Sequence, residues 1–547
     1  MTSRMRPLAG LLAVSLPVVA ALAASPAFAA QADAKVALRG EVISAVDHST
    51  ETGTVSSDKK VPVTVSLTPR DQKGLDAFIA KVGDKKSPQY KHYLTVKQYA
   101  ARYGATSATI SKVSKYLQSQ GLTTGAVSKN HLTIGASGTA AQVEKAFGTT
   151  LAQYKEKGTK HTYFANSSAP KLPAGIASAV SDISGLNNYA KYHHNSEGHL
   201  TPKAASPKAA AGLTPTTAKK AYNLTSTVSA GYNGSGETVG LLEFSAFKQS
   251  NITYYDNYYG ISASTPTVRS AGGGTTDTSG EDEVELDIEV VQALAPGATI
   301  KVYEAPNSDA GETAVYSALV SDDVPVVSIS WGIYESGETS SNRTALNTDF
   351  SEAAAQGQSV FAASGDSGSD DAGNGGKSVD FPASDPYVTG TGGTTLTTSS
   401  GTWSKETAWS GSGGGVSSIF SRPSYQTSSE NSSSYRGVPD VAADANPSSG
   451  WSIYTEGAWY EFGGTSAAAP NWAAFTAVLD DEAAATGGYD LGYANSTIYA
   501  LATSSSYSSA FHDVTSGSNG GYSAATGYDK VTGWGSYNGA NFIAAVI

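Results

Sequence analysis

The chain has 547 residues, a formal net charge of −12, 39% apolar residues, 15% charged residues and no cysteine. Length and apolar content fit two folded domains and exclude a disordered chain. The missing cysteines exclude disulfides, a thiol nucleophile, a thiolate zinc site and an iron–sulfur cluster, so stability must come from the core, from metals or from size.

Residues 1–30 begin with Arg4 and Arg6, continue with the apolar run LAGLLAVSLPVVAALAA and end in SPAFAA. This is the pattern of a secretory signal peptide cut near Ala29 or Ala30, which predicts an extracellular protein. No later stretch is apolar for long enough to span a bilayer, so no membrane association is expected after signal removal.

Residues 31–195 read as a small α+β domain. KVPVTVSLTP and HLTIGAS have strand patterns, while DQKGLDAFIAKVG, SATISKVSKYLQSQG and AAQVEKAFG have helical apolar spacing and end at glycine. His193 and His194 form a lone pair expected to be solvated. Residues 196–212 are rich in Ala, Pro, Lys and Thr without apolar periodicity and read as an exposed linker. Residues 1–212 hold 25 Lys/Arg and 12 Asp/Glu, a net of +13; the remainder holds 11 and 36, a net of −25. This asymmetry predicts a basic domain bound to an acidic one partly by charge attraction.

Residues 213–547 alternate strand candidates with helix candidates. TVGLLEF, TIKVYEA, PVVSISWG and QSVFAASGD suit strands, and EVELDIEVVQALA, TAVYSALVS and TALNTDFSEAAAQG suit helices. The order predicts an α/β fold with a mainly parallel sheet covered on both faces and sites at the carboxyl ends of its strands.

FGGTSAAAP presents Ser466 on a small-residue turn at the start of a helix, the setting of a nucleophile that needs a base. Of eight histidines only His512 lies beyond the linker, so the base is either that residue or a carboxylate. Glu283 and Asp287 are four residues apart and share one face of a helix, where like charges repel and hold a proton between them. A solvated acidic face is the alternative, opposed by the apolar Leu286, Ile288, Val290 and Val291 beside them. Asp366 in FAASGDSGS follows an apolar strand, either as a turn former or, protonated, as a donor to an oxyanion.

The stretches GGTSAAAP, EVELD, SGDSG and VSISWG together resemble the motifs of the sedolisin family of serine-carboxyl peptidases, especially its kumamolisin-like members, from about Gly212 to the carboxyl terminus. SPQYKHYLT, GTAAQVEKAFGT and LPAGIASAVSDISGL resemble that family's activation propeptide. The resemblance implies a subtilisin-like catalytic domain at 213–547 behind an α+β, ferredoxin-like propeptide. It makes Ser466 the nucleophile, Glu283 the general base, Asp287 its orienting partner and Asp366 the oxyanion donor. It sets Glu243 beside Trp331 as an extension of that network, and it implies Trp331, Asp380 and Glu243 as the substrate-binding residues. It also implies one structural Ca²⁺ held by Asp513, Asp529 and the carbonyls of Val514, Ala525 and Gly527.

The implied protein is a secreted, monomeric, acid-acting endopeptidase made as a zymogen. Its partners are polypeptide substrates and its own propeptide, with no nucleic acid. A tripeptidyl-peptidase of the same family and a non-catalytic binding protein on the same scaffold are the rival readings.

Overall fold

The amino-terminal half of the computed structural model, which describes residues 34–196 and 212–547, builds its sheet from the expected strands. The expected signal segment and residues 197–211 of the expected linker lie outside the described residues. Strand β1 (Lys60–Leu67) is followed by helices α1 (Gln72–Val82) and α2 (Ser107–Ser119), strands β2 (Thr123–Val127) and β3 (Thr133–Thr139), helix α3 (Ala140–Phe147) and strand β4 (Val180–Ser184). The helices start where side chains accept the first free N–H groups: Asp71 from Gly74, Thr106 from Thr109 and Thr139 from Gln142. Helix α3 ends at Gly148, whose φ of 60° suits glycine.

The antiparallel sheet runs β2-β3-β1-β4, so the domain has the expected ferredoxin-like order. Alternation along β1 gives the sheet two different faces. Val61, Val63, Val65 and Leu67 pack with Leu117, Val143 and Phe147 in the domain's own core. On the other face Thr64 and Ser66 are polar and yet buried, because the second half of the chain covers that end of the strand.

That second half contains β5 (Thr238–Glu243), β6 (Thr267–Ser270), α4 (Glu281–Leu294), β7 (Thr299–Glu304), α5 (Asp309–Ser321), β8 (Val326–Ile329), β9 (Trp331–Tyr334), α6 (Ser340–Gln356), β10 (Ser359–Ala363), β11 (Thr389–Ser399), β12 (Thr402–Ala408), β13 (Val441–Asp444) and α7 (Thr465–Thr486). Its main sheet runs β6-β7-β5-β8-β10-β11-β12 with β13 also on β11, and every pairing is parallel except β11 with β12. One face packs against α4 and α7, the other against α5 and α6. Both faces are covered, which is why every residue of β8 and β10 is buried and most are apolar.

The two halves meet where β1, β3 and β4 lie on α5 and α6. Thr64 Oγ1 donates to the Ala310 carbonyl at 3.2 Å, Thr133 and Ser317 share a bond of 2.8 Å, and Ser184 and Thr313 one of 2.6 Å. At the centre sit five buried carboxyls: Glu41 and Asp182 from the first half, Asp309, Glu312 and Glu338 from the second. Their donors are neutral. Asn187 reaches Asp309 at 2.6 Å, Tyr192 reaches Glu312 at 2.8 Å, and Asn342 reaches Glu312 at 3.0 Å and Glu338 at 2.8 Å.

The expectation of a charge-based clamp therefore needs correction at the contact itself. Among the described residues, the ion pairs that cross between the halves are Lys129–Asp322 at 2.7 Å, with a largely exposed lysine, and His194–Glu283 at 3.3 Å. Burying ionised pairs costs desolvation, and this interface instead buries carboxyls whose acid form burial favours. Burial raises the pKa of Glu41, Asp309, Glu312 and Glu338, and pushes Asp182 up to about 6.

A carboxyl whose pKa rises on docking takes up protons as the halves come together. Its contribution is complete below the free value near 4 and is lost as pH rises through the docked value, about 6 for Asp182. The thermal midpoint of a Ser466→Ala chain, which keeps the halves in one piece, should therefore fall between pH 5 and pH 8. Asp182→Asn, which cannot ionise, should flatten that fall. Scanning calorimetry at both pH values checks this, and an unchanged slope in the variant would refute it.

Candidate active site

Helix α4 begins after Gly280 with Glu281, Asp282 and Glu283 in its first turn, where carboxylates favour the positive end of the helix dipole. It stops at Ala295 because Pro296 follows. Glu283 and Asp287 lie one turn apart with no solvent exposure, and Glu285 and Glu289 are buried as well. The solvated-face alternative is thereby excluded.

Helix α7 places Ser466 in its first turn, buried beneath the ends of β8 and β10. Ala467, Ala468 and Ala469 are fully buried and let this helix lie close under the sheet. Pro470 has no N–H, so the Ser466 carbonyl receives no bond from the residue four later. Ser330, between β8 and β9, supplies the missing donor, its Oγ lying 3.3 Å from that carbonyl. The same hydroxyl lies 2.9 Å from both carboxylate oxygens of Asp287.

Glu243, at the end of β5, accepts a 2.8 Å bond from Trp331 Nε1. Burial pushes Glu243 and Asp287 well above the usual carboxylate range, and their negative neighbours add to it: Glu283 for Glu243, and Glu243 and Glu283 for Asp287. The two therefore share protons over the acid range. Glu243, expected among the substrate contacts, is fully buried behind Trp331, so it reaches the reacting atoms only through Asp287.

Asp366, on the loop after β10, has Oδ1 fixed by Thr465 N and Thr465 Oγ1, both at 2.8 Å. Gly464 leaves space beside it. A Cβ there would lie 2.3 Å from the Asn195 carbonyl oxygen and 2.5 Å from Asp366 Oδ2, and its φ of 104° is left-handed. These distances put the Asn195 carbonyl and Asp366 Oδ2 at the same small space. Ser466 N donates to that carbonyl at 2.9 Å. Backbone N–H and acid side chain together form a pocket suited to an oxyanion.

The occupant of this cleft is the chain itself. His193 and His194 pair antiparallel with Gly332 and Trp331, and Asn195 N donates to the Ser330 carbonyl at 3.0 Å. His194, expected to be solvated, instead meets Trp331 edge to face at 5.2 Å and brings Nδ1 to 3.3 Å from Glu283 Oε2. Burial works against its charge, but the Glu283 carboxylate prevails and holds the imidazole above its ordinary pKa. Ser466 Oγ points to the Ser330 carbonyl at 3.4 Å and not to Glu283. In this state the nucleophile is engaged by the Ser330 carbonyl and the base by His194.

Asp380 is fully buried opposite Gly332, where a Cβ would stand 2.3 Å from its Oδ1. Burial raises its carboxyl, Asp371 adds to this, and the Asn195 side chain works the other way. Asp380 thus faces the side chain of the residue whose carbonyl sits at Ser466. His512 stacks on Trp403 at 4.1 Å, its Nε2 finds no hydrogen-bond partner, and burial lowers its pKa to about 4. It makes no contact with Ser466 and is not the base. Ser330 and Thr465 had no role assigned from sequence, although each lies inside a quoted motif.

The two carboxylates expected to hold a cation meet the 525–529 segment, and Asp529 also accepts from Val531 N, Thr532 N and Thr532 Oγ1. Asp513 accepts from Gly527 N at 3.1 Å and Asp529 from Ala525 N at 3.0 Å, so both carboxylates face one loop. The carbonyls of Val514, Ala525 and Gly527 accept no hydrogen bond from the described residues. Two carboxylates and three uncommitted carbonyls form an all-oxygen set that fits a hard cation.

Known proteins resemble both halves of this chain. The family described as "Pro-kumamolisin, activation domain" matches residues 47–189, and the "Subtilase family" matches residues 269–535. Kumamolisin of Bacillus sp. (strain MN-32) is 33% identical over 93% of this chain and 96% of its own length. Tripeptidyl-peptidase 1 of Homo sapiens is 26% identical over 89% of this chain and 91% of its own. Among solved structures, Pseudomonas sedolisin, a serine-carboxyl proteinase complexed with two molecules of pseudo-iodotyrostatin, superposes with a TM-score of 0.56 at 31% identity, covering 61% of this chain and 98% of that one.

Ser330→Ala should test the network. It removes the hydroxyl that lowers the Asp287 pKa while leaving the Ser330 carbonyl in place. A lost bond to a neutral acid is worth about 0.5–1.5 kcal/mol, so kcat at acid pH should fall roughly 2- to 12-fold with KM little changed. The Asp287 pKa should rise further, moving the pH dependence of kcat/KM upward. A wild-type profile would exclude this role.

Proposed function

The chain belongs to the sedolisin family of serine-carboxyl peptidases, and from that premise we propose that it is a secreted zymogen whose mature form is an acid-acting endopeptidase using Ser466, Glu283 and Asp287. The observation that carries the reading is the extended segment in the cleft, with the Asn195 carbonyl on Ser466 N. A peptide so held presents its carbonyl carbon to the hydroxyl of the same residue.

In the proposed reaction Ser466 Oγ attacks the carbonyl carbon and its proton passes to Glu283. Ser466 N and Asp366, in acid form, hold the oxyanion. Glu283 returns the proton to the leaving amine, and the acyl-enzyme is then hydrolysed by water through the same proton path. The raised pKa values of Asp287 and Glu243 matter because those groups stay neutral in acid and leave the proton-accepting role to Glu283. As pH rises through their raised values they ionise, three negative charges meet in one buried space, and activity should decline.

An observation favours an endopeptidase over a tripeptidyl-peptidase. The cleft holds chain well to the amino side of Asn195: Tyr192 N donates to Asn307 Oδ1 at 3.0 Å, Asn307 Nδ2 to the Tyr192 carbonyl at 2.8 Å, and Lys191 Nζ to the Asn307 carbonyl at 2.9 Å. Tyr192 is the fourth residue counting back from the carbonyl, a place that an enzyme releasing tripeptides must keep closed.

Hydrolysis of casein and of internally quenched peptides from pH 3 to 8 tests the assignment. Activity should be highest in acid, and Ser466→Ala and Glu283→Gln should each lose on the order of 10⁴-fold or more. His512→Ala should retain most activity. Full activity in the Ser466→Ala protein would reject the mechanism.

Asp513, Asp529 and the carbonyls of Val514, Ala525 and Gly527 would hold a structural Ca²⁺. The ion would supply charge neutralisation that ties the 525–529 loop to Asp513. A ligand bound only by the folded state raises its stability by mass action. Excess chelator, or Asp529→Ala, should therefore lower the melting temperature, and an unchanged value with chelator would argue against the site.

A further inference from the structure

We propose that Asn195–Ser196 is the first bond this chain cuts in itself, with the chain's own Ser466 attacking the Asn195 carbonyl within the same molecule. The inference rests on the peptidase reading above and adds to it a particular bond.

Four contacts place that bond. His193 and His194 continue the strand ladder onto β9, fixing the direction of the chain through the cleft. Asn195 N is held by the Ser330 carbonyl at 3.0 Å, and the Asn195 carbonyl by Ser466 N at 2.9 Å. The space beside Gly464 brings that carbonyl oxygen next to Asp366 Oδ2. Asn195 itself is only 2% exposed. No neighbouring residue has this set: His194 is turned to Glu283, and Ser196 Oγ bonds back to His194 Nδ1 at 2.7 Å.

The resting arrangement is not yet reactive. Glu283 faces His194, and Ser466 Oγ faces the Ser330 carbonyl. Cleavage requires His194 to leave Glu283 and the hydroxyl to rotate toward the freed carboxylate. Ser466 Oγ then bonds to the Asn195 carbonyl carbon while its proton goes to Glu283. The bond from that carbon to Ser196 N breaks, and the amine takes the proton from Glu283. Water next attacks the ester, gives a proton to Glu283, and the proton returns to Ser466 Oγ. The products are a propeptide ending in the Asn195 carboxyl and a catalytic domain beginning with the Ser196 amine. No co-reactant other than water is needed.

The test uses the full precursor purified at neutral pH, shifted to pH 4 and quenched within the first turnovers. Intact mass and amino-terminal sequencing should find Ser196 as the earliest new terminus. The rate should not change over a 100-fold dilution, and the Ser466→Ala precursor should give no such product. Asn195→Pro removes the N–H that bonds to Ser330, and should suppress the Ser196 terminus at least 10-fold. Asn195→Asp, which sets a second acid against Asp380, should slow the same cut if the proline variant folds poorly. An earliest terminus elsewhere, a rate proportional to precursor concentration, or an unchanged rate in both variants would overturn the proposal. A precursor that cuts neither itself nor casein would instead bring down the peptidase reading, whereas one that digests casein after maturing at another bond would bring down this inference alone.

Discussion

Three carboxyls buried together without a lysine or arginine set the terms for the rest of the site. Glu243, Glu283 and Asp287 have no solvent exposure, and no cationic side chain of the catalytic half pairs with them. Such a group cannot carry three charges, because each ionisation is opposed by burial and by the charges already present. The fold meets this in two ways. Burial favours protons on Glu243 and Asp287, and fixed donors hold both side chains in place, Trp331 Nε1 on Glu243 and Ser330 Oγ on Asp287.

Ser330 joins this electrostatic requirement to the geometry of attack. Its side chain serves Asp287 and the proline-freed carbonyl of Ser466, while its own carbonyl receives Asn195 N and Ser466 Oγ. One residue at the end of a central strand thus positions the acid, the nucleophile and the peptide. The run of alanines after Ser466 has a similar double use, since it brings α7 close enough to the strand ends for these bonds to form. Thr465 plays the corresponding part for Asp366, accepting from Gly365 N at 3.1 Å while donating to the carboxylate.

The parts of this arrangement that were legible in the sequence are those fixed by local pattern. Apolar runs ending in SWG and SGD marked the strands whose carboxyl ends carry the site, and four-residue spacing put Glu283 and Asp287 on one helical face. Caps and glycines marked the propeptide helices to within a residue or two. What could not be read were contacts between distant segments. Ser330 and Thr465 are ordinary strand and helix-start residues until folding brings Asp287 and Asp366 beside them. Glu243 looked like a substrate contact because nothing local says which side of Trp331 it occupies. His194 looked solvated because it borders a polar linker, and only the strand ladder onto β9 carries it to Glu283. Net charge describes the whole surface, whereas the contact between the halves is made by hydroxyls, an apolar cluster and buried carboxyls, with the buried Lys91 beside Asp480 and Asp490 as its cationic point.

The same condition, a buried carboxyl that keeps its proton, governs both the site and the interface between the two halves. Lowering the pH favours the acid forms of Asp182, Glu312 and Glu338 and so strengthens that part of the docking. The exposed Lys129–Asp322 pair loses its attraction in acid, but a surface pair of this kind is worth at most about 1 kcal/mol. Acid therefore suits the proposed chemistry without itself prying the propeptide from the catalytic half. Release then has to come from a cut in the chain, which turns an intramolecular contact into one that depends on concentration and fails on dilution. On this argument the acid-stabilised interface is what holds the resident peptide in the cleft long enough for it to be cut.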